Sequence, residues 1–225
     1  MKFFVLQNPK AGLGEAVTDF EPVDGALMGD APRCPVCDKY VGLRPLIPPV
    51  KVELEGWGTL WGDIAFGPAD QVLISGRLKK AFMDAGLSGF TRFDPVVAAK
   101  TKRRRALISG SPPEYWLGTV ARSRAMLDDS ASGLEREDGI VCPECGLAGV
   151  NKRLRRVVLR SNTWSSEDVF FARGFPGTIL VSERFKSLSE RGELTNCSLI
   201  DAEKFGFDHN LHECRFHSMS GRDST

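Results

Sequence analysis

Apolar positions along this chain gather in short runs of roughly four to eight residues, the length of strands. Two stretches then switch to a helical period. QVLIS, ending at Ser75, and GTILVS, ending at Ser182, are rich in β-branched residues, as buried strands are. Each ends on a serine able to cap a helix. Behind the first come Leu78, Phe82 and Met83 with Lys79, Lys80 and Asp84 between them; behind the second, Phe185 and Leu188 form the equivalent stripe. Gly86 and Gly192 are expected to stop these helices, because glycine tolerates the left-handed conformation at C′. GFTRFDPVV and TNCSLIDAEKF follow as partly alternating strands. KFFVL, VKVELEG, WGDIAF, RALIS and RRVVLR are further candidate strands bounded by Gly and Pro. TVARSRAML reads as strand or short helix, and DDSASGLEREDG as a polar connector. The tail HSMSGRDST is small and polar and is expected to fray.

The two helical stretches resemble each other: an aliphatic run, Ser, any residue, Arg, Leu or Phe, Lys, then Gly some way on. A Cys-Pro-x-Cys knuckle precedes each of them, at Cys34 and at Cys142. Two motifs in one order at nearly one offset imply an internal duplication. The expected fold class is therefore α+β, with internally duplicated strand–helix–strand units, short strands and two Cys-x-x-Cys zinc knuckles. It would form a single domain over 1–225, from pseudo-repeats of about 1–105 and about 106–207, with a polar C-terminal tail at 208–225.

One knuckle offers two ligands, and a structural zinc needs four. A duplicated fold supplies them if a pseudo-twofold axis brings Cys34, Cys37, Cys142 and Cys145 to one closed four-cysteine site for Zn2+. Two readings stand beside this one: reduced thiols without metal, and a redox pair. The redox motif should follow a strand at a helix N-terminus, and APRCPVC has no strand just before it. Gly146 suits the tight turn of the second knuckle, and Asp38, in the matching place of the first, also tolerates turn geometry. Cys197 is expected as a small core residue in a strand. Cys214 lies with His209, His212 and His217 near the chain end, where such a gathering is usually incidental.

Composition narrows the function. Of 225 residues, 42% are hydrophobic and 26% charged, which is globular rather than disordered. A net charge of +1 provides no global field toward nucleic acid or an anionic membrane. The apolar run in MKFFVLQNPKAG is short for a signal peptide, and no run nears the roughly 18 residues of a membrane span. A soluble cytoplasmic protein with no membrane partner is expected. No nucleophile elbow, P-loop, His-Glu-x-x-His or dinucleotide fingerprint occurs, so no catalytic residue is assigned and the chain is read as a non-enzyme. Basic runs at Lys100 to Arg105 and Asn151 to Arg160 keep one alternative open, a zinc-ribbon-type nucleic-acid-binding protein. Neither run has the interleaved aromatics that stack bases, so nucleic acid is not the favoured partner.

The paired Cys-Pro-x-Cys, SGLEREDG leading into CPECG, and DVFFARGFPGTILVSERF with ELTN soon after resemble the double-CXXCG-motif family of myxobacterial proteins. The opening MKFFVL and the length fit as well, while Asp38 stands where that pattern expects glycine. The family includes immunity proteins of swarm-inhibition toxin systems. The resemblance implies a cytoplasmic protein that binds and neutralises the C-terminal domain of a cognate polymorphic toxin, encoded nearby and delivered by neighbouring cells. Aromatic and arginine hot spots suggest Tyr115, Trp116, Arg103, Arg104 and Arg105 as partner contacts. Against a toxin with a basic groove, Glu135, Glu137 and Asp138 are the better candidates. Trp57 and Trp61 are expected in the core.

Overall fold

The computed structural model describes residues 2–9, 16–68, 71–104, 110–137 and 139–208. Strand outweighs helix, at 44% against 14%. In chain order the elements begin with β1 (Phe3–Gln7), β2 (Ala16–Pro22), β3 (Val50–Gly58), β4 (Ile64–Phe66) and β5 (Val72–Ser75). Helix α1 (Gly76–Asp84) leads to two long strands, β6 (Phe90–Arg104) and β7 (Tyr115–Met126), then to the short α2 (Asp129–Ser132), β8 (Glu135–Arg136) and β9 (Asn151–Leu154). β10 (Val169–Arg173), β11 (Phe175–Ser182), α3 (Glu183–Arg191), β12 (Ser198–Asp201) and β13 (Phe207–Asp208) complete the described chain.

Ten strands make one mixed sheet in the order β12-β1-β11-β10-β7-β5-β4-β2-β3-β6, and β13-β9-β8 form a small second sheet. β6 is long enough to serve two partners: Phe90 to Pro95 pair with β7, and Val96 to Arg104 pair with β3. The pairings thus close a ring through β7, β5, β4, β2, β3 and β6. Strands buried on both sides alternate between cores. Val72 and Ile74 of β5 pack toward the helices with Phe82 and Phe185, whereas Leu73 packs with Phe20, Leu54 and Leu117 inside the ring. In the same way Phe4 and Leu6 of β1 face the helices, while Val5 joins Phe170 and Leu180 on the other face.

The expected α+β fold of duplicated strand–helix–strand units is overturned by this sheet. The β5–α1 and β11–α3 junctions form where the pattern places them, with Ser75 and Ser182 each accepting from an N–H in the first helical turn. The strands that follow have nothing in common. β6 has fifteen residues and closes the ring, while β12 has four and pairs with β1 from the start of the chain. Local pattern carries no record of such distant partners, and so two similar segments do not make two similar units. TVARSRAML is strand: all of it but Leu127 lies in β7. RRVVLR forms no strand, because its backbone bonds scatter: Val157 donates to Ala202, Arg160 to Met126, and Val158 accepts from Asp128. Gly86 is left-handed as expected (φ 59°), but Gly192 is not (φ −86°), and Glu193 takes that conformation instead. The connector DDSASGLEREDG contains α2 and β8. RALIS and all but Asp208 of the tail lie outside the described residues.

The two long helices are locked down by two aspartates that are all but buried. Asp63 accepts from Ser75 Oγ at 2.7 Å, from Arg77 Nε at 3.0 Å and from the Thr195 backbone at 2.9 Å. Asp168 accepts from Ser182 Oγ at 2.6 Å, from Arg184 at 3.1 Å and from the Ser88 backbone at 2.9 Å. Each arginine also reaches the end of the opposite helix: Arg77 donates to Gly192 O at 2.9 Å, and Arg184 to Gly86 O at 3.1 Å. A buried carboxylate is stable only with such a set of donors. Among the described residues, no helix is long and apolar enough to cross a membrane.

Burial alone raises the Asp63 carboxyl, but the bonds from Arg77, Thr195 and Ser75 outweigh it and hold the pKa below its usual value. Its stabilisation is therefore complete above the unfolded carboxylate range and is lost as the pH falls through the lower folded value. Asp63→Asn is expected to cost about 3 kcal/mol at neutral pH and to flatten the acid limb of the stability curve. Urea midpoints taken between about pH 2.5 and pH 7 test this; equal midpoints for variant and wild type would refute it.

Candidate metal centre

The two knuckles sit in long connections, the first between β2 and β3, the second between β8 and β9. Each is a tight turn closed in the same way. Asp38 N–H donates to Cys34 O at 3.0 Å and Cys34 N–H to Lys39 O at 2.9 Å. In the second turn Gly146 N–H donates to Cys142 O at 2.8 Å and Cys142 N–H to Leu147 O at 2.9 Å. The closing residue is left-handed in both, Asp38 at φ 57° and Gly146 at φ 72°. Aspartate can adopt this conformation at modest cost, so the substitution leaves the turn intact. Arg33 then braces it, donating to the Asp38 carboxylate at 2.8 Å and stacking over Tyr40 at 4.0 Å.

The turns meet face to face. Cys34 Sγ is 3.8 Å from Cys142 Sγ, Cys37 Sγ is 3.6 Å from Cys145 Sγ, and all four sulfurs lie within 4.8 Å of one another. A tetrahedral ion held by thiolates at about 2.3 Å spaces its sulfurs about 3.8 Å apart. The cluster therefore has the dimensions of a closed four-thiolate site and could hold a metal ion. Its electrostatics agree. Backbone N–H donation from Cys145 pulls the Cys142 thiol down to about 7, while burial pushes the Cys145 thiol up to about 12. Four crowded thiols cannot all ionise unaided, and a bound cation would reconcile them.

Hydrogen bonds tie the paired turns to the sheet. Lys39 Nζ donates across to Ala148 O at 2.8 Å, and Gly174, between β10 and β11, donates to Cys145 O at 2.7 Å. Arg173 grips Glu144 through both backbone and carboxylate oxygens at 2.9 Å. At Gly146 the approach is close: a Cβ there would stand 2.9 Å from the Gly174 backbone.

The other candidates are dispersed. Tyr115 is 3% exposed and donates its hydroxyl to Gly62 O at 2.6 Å, so it belongs to the core. Trp116 is half-buried under Lys79, whose Nζ is 3.0 Å from the ring centroid. Trp57 and Trp61 are also half-buried. Glu135 and Glu137 are exposed near β8 and face Arg153 at 3.6 Å and Lys152 at 3.8 Å. Arg103 is exposed on β6 and donates to Gly110 O at 2.6 Å; Arg104 ends that strand. Arg105, Asp138, Cys214, His209, His212 and His217 lie outside the described residues. Cys197 falls just before β12 and packs against the helix-side core, where burial pushes its thiol up to about 11. Within the basic runs, Lys100 and Lys102 face Glu53, and Arg153 faces Glu135 and Asp208. Sequence reasoning missed the two buried aspartates. Their only signal was an Asp some dozen residues ahead of each Ser-x-Arg.

Cys142→Ser is expected to abolish metal binding and to destabilise the protein by about 3 kcal/mol or more, read by elemental analysis and thermal melting. Wild-type melting with unchanged metal content would exclude the site. The turn residues should respond asymmetrically: Gly146→Ala is expected to cost about 2 kcal/mol, Asp38→Gly less than about 1 kcal/mol.

A comparison with curated proteins finds no match. A comparison with protein families finds one: the model of the immunity protein family Imm11 matches residues 61–204. The matched stretch holds Cys142 and Cys145, while Cys34 and Cys37 precede it. Because that match spans well over half of its 225 residues, the chain belongs to the Imm11 immunity protein family.

Proposed function

We propose that this protein is a zinc-stapled immunity protein that binds the C-terminal domain of a cognate polymorphic toxin, encoded nearby and delivered by neighbouring cells, and blocks it in the cytoplasm. Membership of the Imm11 family carries the reading. Zn2+ is the proposed ion, because a compact site of four thiolates suits its tetrahedral preference. Cys34, Cys37, Cys142 and Cys145 would hold it, and its role there is structural: with four protein ligands, no position is left for a substrate.

Inhibition would then rest on complementary shape and charge. Glu135 and Glu137 are available for a basic toxin groove, since their present ion pairs are long, exposed and weak. Arg103 and Trp116 remain candidates on another part of the surface. Binding to nucleic acid is disfavoured by the acids that already answer Lys100, Lys102 and Arg153.

The tagged protein, used to capture partners from its native lysate in moderate salt with nuclease added, is expected to recover one dominant polypeptide encoded beside it and carrying a toxic C-terminal domain. Co-expression should then abolish that domain's toxicity. In a repeat without nuclease, recovery of nucleic acid alone, with a steep loss of affinity in salt, would overturn the proposal. Elemental analysis is expected to give one zinc per chain, and a chelator should lower the melting temperature.

A further inference from the structure

Two cavities of about 170 and 360 Å3 adjoin beside the thiol cluster, and Arg122, Phe171 and Pro176 line both. The larger falls within the range of about 300–1,000 Å3 typical of binding clefts. β7 and β10 supply the floor through Arg122 and Phe171; the loop behind the first knuckle supplies a wall through Tyr40 and Leu43. The Arg122 side chain lies so close to Gly42 that a Cβ there would stand 1.8 Å from its Nη2. Its Nη1 donates to Val41 O at 2.5 Å, and its guanidinium carbon is 5.7 Å from the Phe171 ring centroid.

Charge singles out this arginine. On the same walls Arg33 pairs with Asp38, and Arg173 with Glu144, which also lines the smaller cavity. Among the described residues, no carboxylate pairs with Arg122. A partly desolvated guanidinium over an aromatic floor, with one hydrogen bond among the described residues, suits a carboxylate. The surroundings suit a polypeptide rather than a small anion. Of the eleven large hydrophobic side chains exposed among the described residues, Leu27, Val36, Tyr40, Leu43 and Ile47 lie on the first knuckle's loop, and Ile140, Val141 and Val150 on the second's. Of these, Tyr40 and Leu43 line the larger cavity itself, and exposed apolar side chains at a cleft mark a protein contact.

We propose that this cleft is the docking site for a segment of the toxin domain that carries an aspartate or glutamate beside a large apolar side chain, the carboxylate pairing with Arg122 and the apolar group entering the larger cavity. The proposal rests on the immunity reading, and it gives the partner segment a chemistry.

Two measurements on the full, metal-loaded chain test it. In the first, affinity for the captured toxin domain is compared across variants. Arg122→Glu is expected to weaken binding about 100-fold and Arg122→Lys about 10-fold, with melting unchanged. If Arg122→Glu binds as wild type does, the cleft is wrong and the immunity reading stands; if wild type does not bind the toxin domain, the immunity reading itself fails. In the second, the isotope-labelled chain is titrated with acetyl-Leu-Asp-Phe-amide, its Asn counterpart and inorganic phosphate, and followed by NMR. The Asp peptide alone is expected to shift the Arg122 side-chain N–H and the Gly42 and Phe171 amides. An equal response to the Asn peptide or to phosphate would overturn the carboxylate assignment, whatever the toxin does.

Discussion

The architecture depends on cross-linking two connections that have almost no core of their own. Between Val23 and Pro49 only Cys34 and Leu46 are buried, and between Gly139 and Val150 only Cys142, Cys145 and Gly146. Ordering backbone costs about 1–2 kcal/mol per residue, and these stretches bury too little apolar surface to offset it. Four sulfurs within 4.8 Å supply what packing does not. A shared ion bound by both loops would constrain both, and the Gly174 and Arg173 contacts would relay that constraint to β10 and β11.

The same arrangement joins the metal centre to the surface around it. Tyr40 and Leu43 follow Cys37 by a few residues, while Arg122 and Phe171 stand on sheet strands. The cleft is thus half scaffold and half loop, and Arg122 bridges the halves through Val41 O. The Imm11 match covers the scaffold half and the second knuckle, and it starts after the first knuckle and its wall. On the proposed reading, one part of the chain provides the frame and another adjusts the fit.

What could be read from sequence follows the range of the forces involved. Ser75 and Ser182 were legible as helix caps because capping is decided within three residues. The four-thiol cluster was legible for a different reason: each Cys-Pro-x-Cys knuckle offers two ligands, and an expected duplication paired the two. The tolerance of the first turn for Asp38 followed from its side-chain chemistry. Nothing local told of the fifteen-residue β6 serving two partners, nor of β1 lying between β11 and β12. Strand partners are chosen by burial over the whole sheet, and the similarity of two helical segments says nothing about them. RRVVLR misled for the same reason, since its backbone bonds go to separate partners and build no ladder. Tyr115 illustrates the limit for surfaces, since an aromatic suggested as a contact hot spot proves to be buried within the ring of strands.

The crossed arginines have a further consequence, for how the molecule comes apart. Arg77 leaves the first turn of α1 to satisfy carbonyls at the end of α3, and Arg184 does the reverse. Fraying of either helix strips a cap from the other and exposes a buried carboxylate at both. Local opening on this face should therefore give way to a single event, in which α1, α3 and the strands beneath them exchange their amide protons together. A protein built this way has one cooperative block under its helices and two tethered loops beside it, so that the surface can vary without loosening the core.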